Sequence, residues 1–229
     1  MTQDEAKLAA AQAAIALLPN DGIIGLGSGS TAKLFIDEVG KLVKSGRKLV
    51  GVATSDGSRE QAKSLGIPLL DDEGPWEIAL TVDGADEVSE HLDLIKGGGG
   101  AQTREKIVNF ASRQNVIIVD ESKMSRHLGE KWPIPIEVLA FAHRSTAAAL
   151  ERFGTVTQRK KKNSAVPFLT DAGNYIYDVR TKSPIVRPAS VDAELSAIPG
   201  VVETGLFVGR ADRVLVAGSS GVRELLPVH

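Results

Sequence analysis

The sequence predicts an α/β fold, a Rossmann-like parallel-sheet domain carrying a smaller inserted α+β domain, and three observations predict it. Short apolar runs alternate with helix-patterned segments through the first half of the chain, as in a parallel sheet covered on both faces. Glycine-rich turns follow two of those runs directly. Near Lys131 the pattern changes, with Trp132, Pro133 and Pro135 punctuating the chain and alternating apolar residues beyond.

Taken in order, the first element is a helix. Thr2 and Glu5 have the spacing of a capping box ahead of an alanine- and leucine-rich run, and the chain leaves the helix by Pro19-Asn20-Asp21-Gly22. Asp4 and Glu5 stand where a secretory signal would be basic, and the run is too short to cross a bilayer, which predicts a cytoplasmic protein with no membrane partner. Residues 22–27 (GIIGLG) read as a buried strand, and Leu34, Ile36, Val39, Leu42 and Val43 then fall on one helical face. A strand at 49–54, a helix at 58–65 closed by Gly66, and strands at 77–82 and 92–95 follow. A helix at 101–114 and a fully apolar strand at 116–119 complete the first half. Beyond Lys131 the expectation is a strand at 136–140, a helix at 145–153 and alternating strands at 155–158 and 175–179. A helix opened by Ser190 and ended by Pro199-Gly200 then leads to a strand at 201–207. The run RVLVA at 213–217 is a buried type of strand returning to the first sheet. The expected division is therefore 1–130 with 208–229 for the α/β domain, and 131–207 for the insertion.

Composition narrows the chemistry. At 229 residues, 42% hydrophobic, the chain can bury its own core without a disulfide or structural metal. It has no cysteine, which removes thiol catalysis, iron–sulfur clusters and cysteine-bound zinc. A net charge of −2 gives no reason to expect nucleic acid as a partner, and the one basic run, Arg159-Lys160-Lys161-Lys162, reads as a solvated loop. His91, His127, His143 and His229 lack metal-ligand spacing.

Four places suggest chemistry, and all follow predicted strands, where open parallel sheets bind their ligands. In Gly25-Leu26-Gly27-Ser28-Gly29-Ser30-Thr31 the glycines let amides approach an anion at a helix start; a serine-capped turn and a dinucleotide loop are the other readings. A weaker polar turn, Thr54-Ser55-Asp56-Gly57-Ser58, follows the second strand. In Val82-Asp83-Gly84-Ala85-Asp86-Glu87 two carboxylates three positions apart suit hydroxyl proton transfer or a divalent ion, or belong to a solvated Asp-Gly turn. Lys96 followed by Gly97, Gly98, Gly99 and Gly100 suits a nest of amides around an oxyanion, with a cation beside it. Glu105 lies in the first turns of the next helix, a common place for a carboxylate and here close to that glycine run.

Five blocks in order now identify a family. GLGSGSTA at 25–32, VDGADE at 82–87, IKGGGGAQTREK at 95–106, TDAGNYIYDV at 170–179 and IPGVVETGLF at 198–207 resemble ribose-5-phosphate isomerase of the A type. The resemblance implies an α/β domain with a ferredoxin-like insertion, no cofactor, a homodimer or homotetramer, and a place in the non-oxidative pentose phosphate pathway. It further implies Glu105 as the general base, Asp83 and Asp86 as the acidic pair and Lys96 as the catalytic lysine. Substrate-binding positions fall on Ser28, Gly29, Ser30 and Thr31, on Gly84 and Ala85, on Gly97, Gly98 and Gly99, and on Lys123. Ser28 replaces a more usual threonine, Gly100 extends the usual three glycines, and Ala172 stands where asparagine is common.

The implied reaction suits these residue types. Moving a proton between C2 and C1 of a sugar through an enediolate needs an ionised carboxylate as base and strong stabilisation of the developing oxyanion. The rival from another class is a non-catalytic sugar-phosphate sensor, which would not need Glu105 and would normally carry a DNA-binding helix-turn-helix. An NAD-linked oxidoreductase is third, and Ser30 occupies the place of the last glycine of its fingerprint.

Overall fold

A computed structural model describes residues 1–227, so His229 lies outside the described residues. The chain forms two compact units. One comprises Met1–Ala85, Arg104–Lys123 and the segment from Arg210 on; the other comprises Asp86–Thr103 and Met124–Gly209.

The first unit is built on six strands: β1 (Asp21–Leu26), β2 (Lys48–Ala53), β3 (Leu80–Asp83), β6 (Asn115–Asp120), β12 (Arg213–Gly218) and β13 (Gly221–Leu225). Their order is β13-β12-β6-β3-β1-β2. Every neighbouring pair is parallel except β12 with β13, a hairpin the sequence reading does not anticipate. Helices α1 (Gln3–Ile15), α2 (Gly29–Lys44), α3 (Asp56–Ser64) and most of α4 (Gln102–Phe110) belong to this unit. The capping box is present: Thr2 Oγ1 accepts the Glu5 amide at 3.2 Å, and the Glu5 carboxylate accepts the Thr2 amide at 2.7 Å. Those bonds pull the exposed Glu5 carboxyl below its ordinary pKa. Ala6, Ala10, Ala11 and Ala14 are buried on α1 in one cluster with Val116 and Ile118 of β6 and Leu215 and Ala217 of β12. Four alanines on one face let that helix lie close to the sheet.

Gly25 shows how tightly β1 and β3 are set. A Cβ there would lie 1.8 Å from the Thr81 hydroxyl oxygen, which is itself 2.6 Å from the Ser112 hydroxyl. Gly25→Ala is therefore expected to destabilise the protein by about 1–3 kcal/mol, as other overpacked cores do. A urea midpoint equal to that of the unchanged protein would contradict it.

In the second unit β4 (Glu87–Val88), β5 (Leu94–Ile95) and β11 (Leu206–Phe207) form a small antiparallel sheet in the order β11-β5-β4. This pairing ties Asp86–Thr103 to the unit, whereas the sequence reading assigns those residues to the first domain. The larger sheet comes from β7 (Ile134–Val138), α5 (His143–Leu150), β8 (Gly154–Gln158), β9 (Tyr175–Thr181), α6 (Pro188–Ser196) and β10 (Val201–Thr204). That βαββαβ sequence, with antiparallel strands in the order β10-β7-β9-β8, is the ferredoxin-like arrangement. Ile134, Ile136, Val138, Leu150, Tyr177, Val179 and Leu195 are buried together in its core.

The strand expected at 201–207 divides in two, because Gly205 breaks it and β10 and β11 join different sheets. A side chain at Gly205 would sit 2.3 Å from the Lys96 carbonyl oxygen. Pro135 is accommodated at the same place. Its carbonyl accepts the Gly205 amide at 2.7 Å, and a residue's N–H and C=O project to the same side of a strand. The donor that proline lacks thus faces the point where β10 has ended.

Candidate active site

In the first unit, the loop after β1 and the end of β3 are locked together. Asp83 closes β3 and is buried; its Oδ1 accepts the amides of Ser28 at 2.9 Å and Gly84 at 2.7 Å. Gly27 gives its own amide to the Val82 carbonyl at 3.0 Å, and a Cβ on it would lie 2.3 Å from Asp83 Oδ1 and 2.6 Å from Asp83 Cα. Only glycine lets the loop cross β3 so closely, which explains one glycine of the motif in terms of backbone approach.

Ser28 occupies the N-cap position of α2, yet its side chain makes no capping bond. The hydroxyl donates instead to Glu105 Oε1, so the serine-cap reading does not hold. Glu105, in the first turn of α4, is only 5% exposed. A carboxylate is thereby held against the loop that follows β1. Gly29 and Ser30 are exposed and Thr31 is half-buried, at the start of a 16-residue helix whose dipole and first amides favour an anion. The weaker polar turn reaches this loop as well: Ser58 donates its hydroxyl to the Gly27 carbonyl at 2.7 Å, and Asp56 accepts Arg104 Nη1 at 2.7 Å.

Lys123 is half-buried in the single helical turn Glu121–Lys123 that follows β6. Asp120, at the end of β6, is buried beside it. Burial raises the Asp120 carboxyl, but hydrogen bonds from Ser122 and Gln3 and the charge of Lys123 outweigh that and hold it below the ordinary range. Asp120 is therefore a carboxylate at neutral pH.

In the second unit the candidates gather on the glycine run. Lys96 follows β5 and is 3% exposed; its amide donates to the Gly205 carbonyl at 2.8 Å, and its ammonium lies 5.5 Å from the centre of the Phe207 ring. Gly97 and Gly100 have φ of +95° and +80°, a region that only glycine enters freely, and the Gly100 amide closes a turn onto the Gly97 carbonyl at 2.9 Å. Asp86 Oδ2 accepts the Gly98 amide at 2.6 Å. Asp86 is thus bound to the glycine turn and Asp83 to the loop after β1, so neither carboxylate is the solvated acid of a simple Asp-Gly turn.

Two further residues of this unit escaped the sequence reading. Glu137 is 1% exposed on β7 and accepts the hydroxyls of Thr103 and Thr170, the latter at 2.8 Å, and the Asn174 amide at 2.9 Å. Its donors belong to two of the motif blocks, which is the signal that would have found it. Arg159, the first residue of the basic run, corrects the reading of that run as a solvated loop. Its side chain is only 14% exposed, while Lys160, Lys161 and Lys162 are exposed as expected. Among the described residues no group of three or more metal-ligating side chains is assembled, and no helix is long and apolar enough to cross a membrane.

Comparison with known proteins gives this geometry its setting. The family described as ribose 5-phosphate isomerase A (phosphoriboisomerase A) matches residues 50–221. A protein of Gloeobacter violaceus named ribose-5-phosphate isomerase A is 44% identical over 228 residues, covering 99% of this chain and 98% of its own. The probable ribose-5-phosphate isomerase 2 of Arabidopsis thaliana is 40% identical, covering 97% of this chain and 87% of its own. A solved structure of ribose 5-phosphate isomerase A from Methanocaldococcus jannaschii superposes with a TM-score of 0.92 at 39% identity, over 98% of this chain and all of that one. Another, a D-ribose-5-phosphate isomerase in complex with phospho-erythronic acid, reaches 0.95 at 38% identity over 99% of this chain and all of that one. With identity at this level along nearly the whole sequence and the same fold, the chain belongs to the ribose 5-phosphate isomerase A family.

Proposed function

We propose that this protein interconverts D-ribose 5-phosphate and D-ribulose 5-phosphate through an enediolate, in the non-oxidative pentose phosphate pathway. The observation that carries the reading is Glu105, a buried carboxylate that accepts the Ser28 hydroxyl from the loop after β1. In the forward direction Glu105 removes the proton from C2 of the open aldose and returns it to C1. One further proton passes from the C2 oxygen to the C1 oxygen. The negative charge that develops on oxygen meanwhile is stabilised by the Lys96 ammonium and by amides of the glycine run. Asp83 opens the furanose ring, and Asp86 serves with it in moving hydroxyl protons.

The phosphate is assigned to Ser28, Gly29, Ser30 and Thr31 at the start of α2, with Lys123 as a further cation; Gly84 and Ala85 border the sugar. Binding energy from this remote group holds the sugar in register for a reaction in which the phosphate takes no part. No cofactor enters the scheme. We expect a cytoplasmic homodimer or homotetramer, as the family resemblance implies. A sensor of sugar phosphates has no use for a buried base, and no observation favours it.

The direct test is to add ribose 5-phosphate and follow the appearance of ribulose 5-phosphate. Free ribose is expected to be a very poor substrate, and replacing both Ser30 and Thr31 with alanine should raise KM far more than it lowers kcat. Equal turnover of ribose and its phosphate would remove the phosphate from this loop.

A further inference from the structure

The basic run contributes one residue that the scheme above does not use. Arg159 lies just beyond β8, and four N–H groups of its guanidinium are engaged within the second unit. Nε donates to Asp178 Oδ2 at 3.0 Å and Nη2 to Asp178 Oδ1, a side-on fork that fixes the plane of the group. Nη1 donates to the carbonyls of Gly97 at 2.7 Å and Gly98 at 3.1 Å.

Those two carbonyls belong to the peptide units Gly97–Gly98 and Gly98–Gly99. Both are trans, because the only cis bond among the described residues is Gly74–Pro75. In a planar trans peptide the C=O and the N–H point in opposite directions. Holding the two oxygens on Arg159 therefore turns the Gly98 and Gly99 N–H groups away from it. The Gly98 N–H goes to Asp86 Oδ2, as described. The Gly99 N–H is also turned away from Arg159, from an exposed residue where, its chain neighbours aside, no atom lies within 4 Å of the place a Cβ would take. Gly100, by contrast, spends its amide on the turn.

We infer that Arg159 is a positioning residue for the isomerisation, orienting the glycine run so that the Gly99 amide donates to the oxyanion of the enediolate. The inference rests on the function proposed above. Glycines are free to rotate their peptide planes, and a run of four would otherwise lose that freedom at the moment of reaction. A cation hydrogen-bonded to the two carbonyls also polarises the amides on the far side of the same peptide units. Lysine cannot replace the group, since one ammonium does not hold Asp178 in a fork and two carbonyls together.

The test compares Arg159→Lys and Arg159→Ala with the unchanged protein, measuring kcat, KM, the urea midpoint and the affinity for phospho-erythronate, whose carboxylate places charge near that of the enediolate. With ribose 5-phosphate as substrate, kcat is expected to fall roughly 10- to 100-fold in each variant, less than the 10²–10³ of losing an oxyanion donor outright. KM should stay within about twofold, since ground-state binding comes from the phosphate loop. Phospho-erythronate should bind more weakly, and guanidinium ion should restore part of the lost kcat in Arg159→Ala. If kcat is unchanged, if the loss lies in KM alone, or if activity falls only in step with the folded fraction, Arg159 is structural and the inference fails. An unchanged protein that does not isomerise ribose 5-phosphate overturns the proposed function first and this inference with it. Normal turnover there beside an Arg159→Lys variant of equal kcat overturns this inference alone.

Discussion

Glu105→Gln is expected to lower the isomerisation rate by roughly 10²–10⁴, the range typical of losing a general base. The amide keeps the shape of the side chain and can still accept the Ser28 hydroxyl through its carbonyl oxygen, but it does not take a proton from carbon. The fold should survive: Glu105 sits in the first turn of α4, where the loss of a negative charge forfeits a charge–dipole contribution of about 0.3–1 kcal/mol. Substrate should still bind, because the proposed scheme assigns the phosphate and the sugar hydroxyls to other residues. Single-turnover kinetics separates these effects, with binding retained and the chemical step slowed. A base that carries its proton from C2 to C1 also brings solvent deuterium into C1 of the ketose whenever the proton exchanges during the enediolate's lifetime. The variant's rate is the deciding measurement, since a shielded proton would leave no label. Near-normal turnover by Glu105→Gln would move the base to Asp83 or Asp86.

Lys96→Met has the second largest expected effect. Methionine keeps an unbranched stem of similar length beside the Phe207 ring but removes the ammonium. If the ammonium stabilises the oxyanion as proposed, kcat should fall by about 10²–10³. The effect should lie almost entirely in kcat, because charge on the sugar oxygens develops only as the C2 proton leaves. A variant that lost affinity for ribose 5-phosphate while keeping kcat would show Lys96 to be a phosphate ligand instead. Circular dichroism and the urea midpoint guard against a loss due to misfolding.

Most of the main sheet was legible because most of its strands are built round short apolar runs and its loops carry glycine at fixed places. GIIGLG at 22–27 and VIIV at 116–119 read as buried strands, and residues 24–26 of β1 and all six of β6 are buried. The capping box at Thr2 and Glu5 depends on residues three apart, so it too could be read locally. What escaped depends on contacts distant in sequence. Gly205 looks like an ordinary glycine within a strand until the Lys96 carbonyl is placed against it. Arg159 looks like the start of a solvated cationic stretch, and its partners Gly97 and Gly98 lie some sixty positions earlier. Glu137 reads as one polar residue in an apolar strand; its three donors converge from two other segments. Ser28 could be recognised as a cap position, but the direction of its hydroxyl follows from where α4 begins.

The position of β12 between β6 and β13 has a consequence for biosynthesis. Val116 of β6 pairs with Arg213, and Asp120 with Ala217, so the strand that flanks β6 on this side leaves the ribosome about a hundred residues later. At about 5–20 residues per second, β6 waits roughly 5–20 s for that partner. All six residues of β6 are buried in the finished protein, and for this interval one edge of an apolar strand has its backbone groups unpaired. The ferredoxin-like segment emerges entirely within that interval. It can complete its own four strands before the first sheet is closed, because none of them needs a partner from beyond β10.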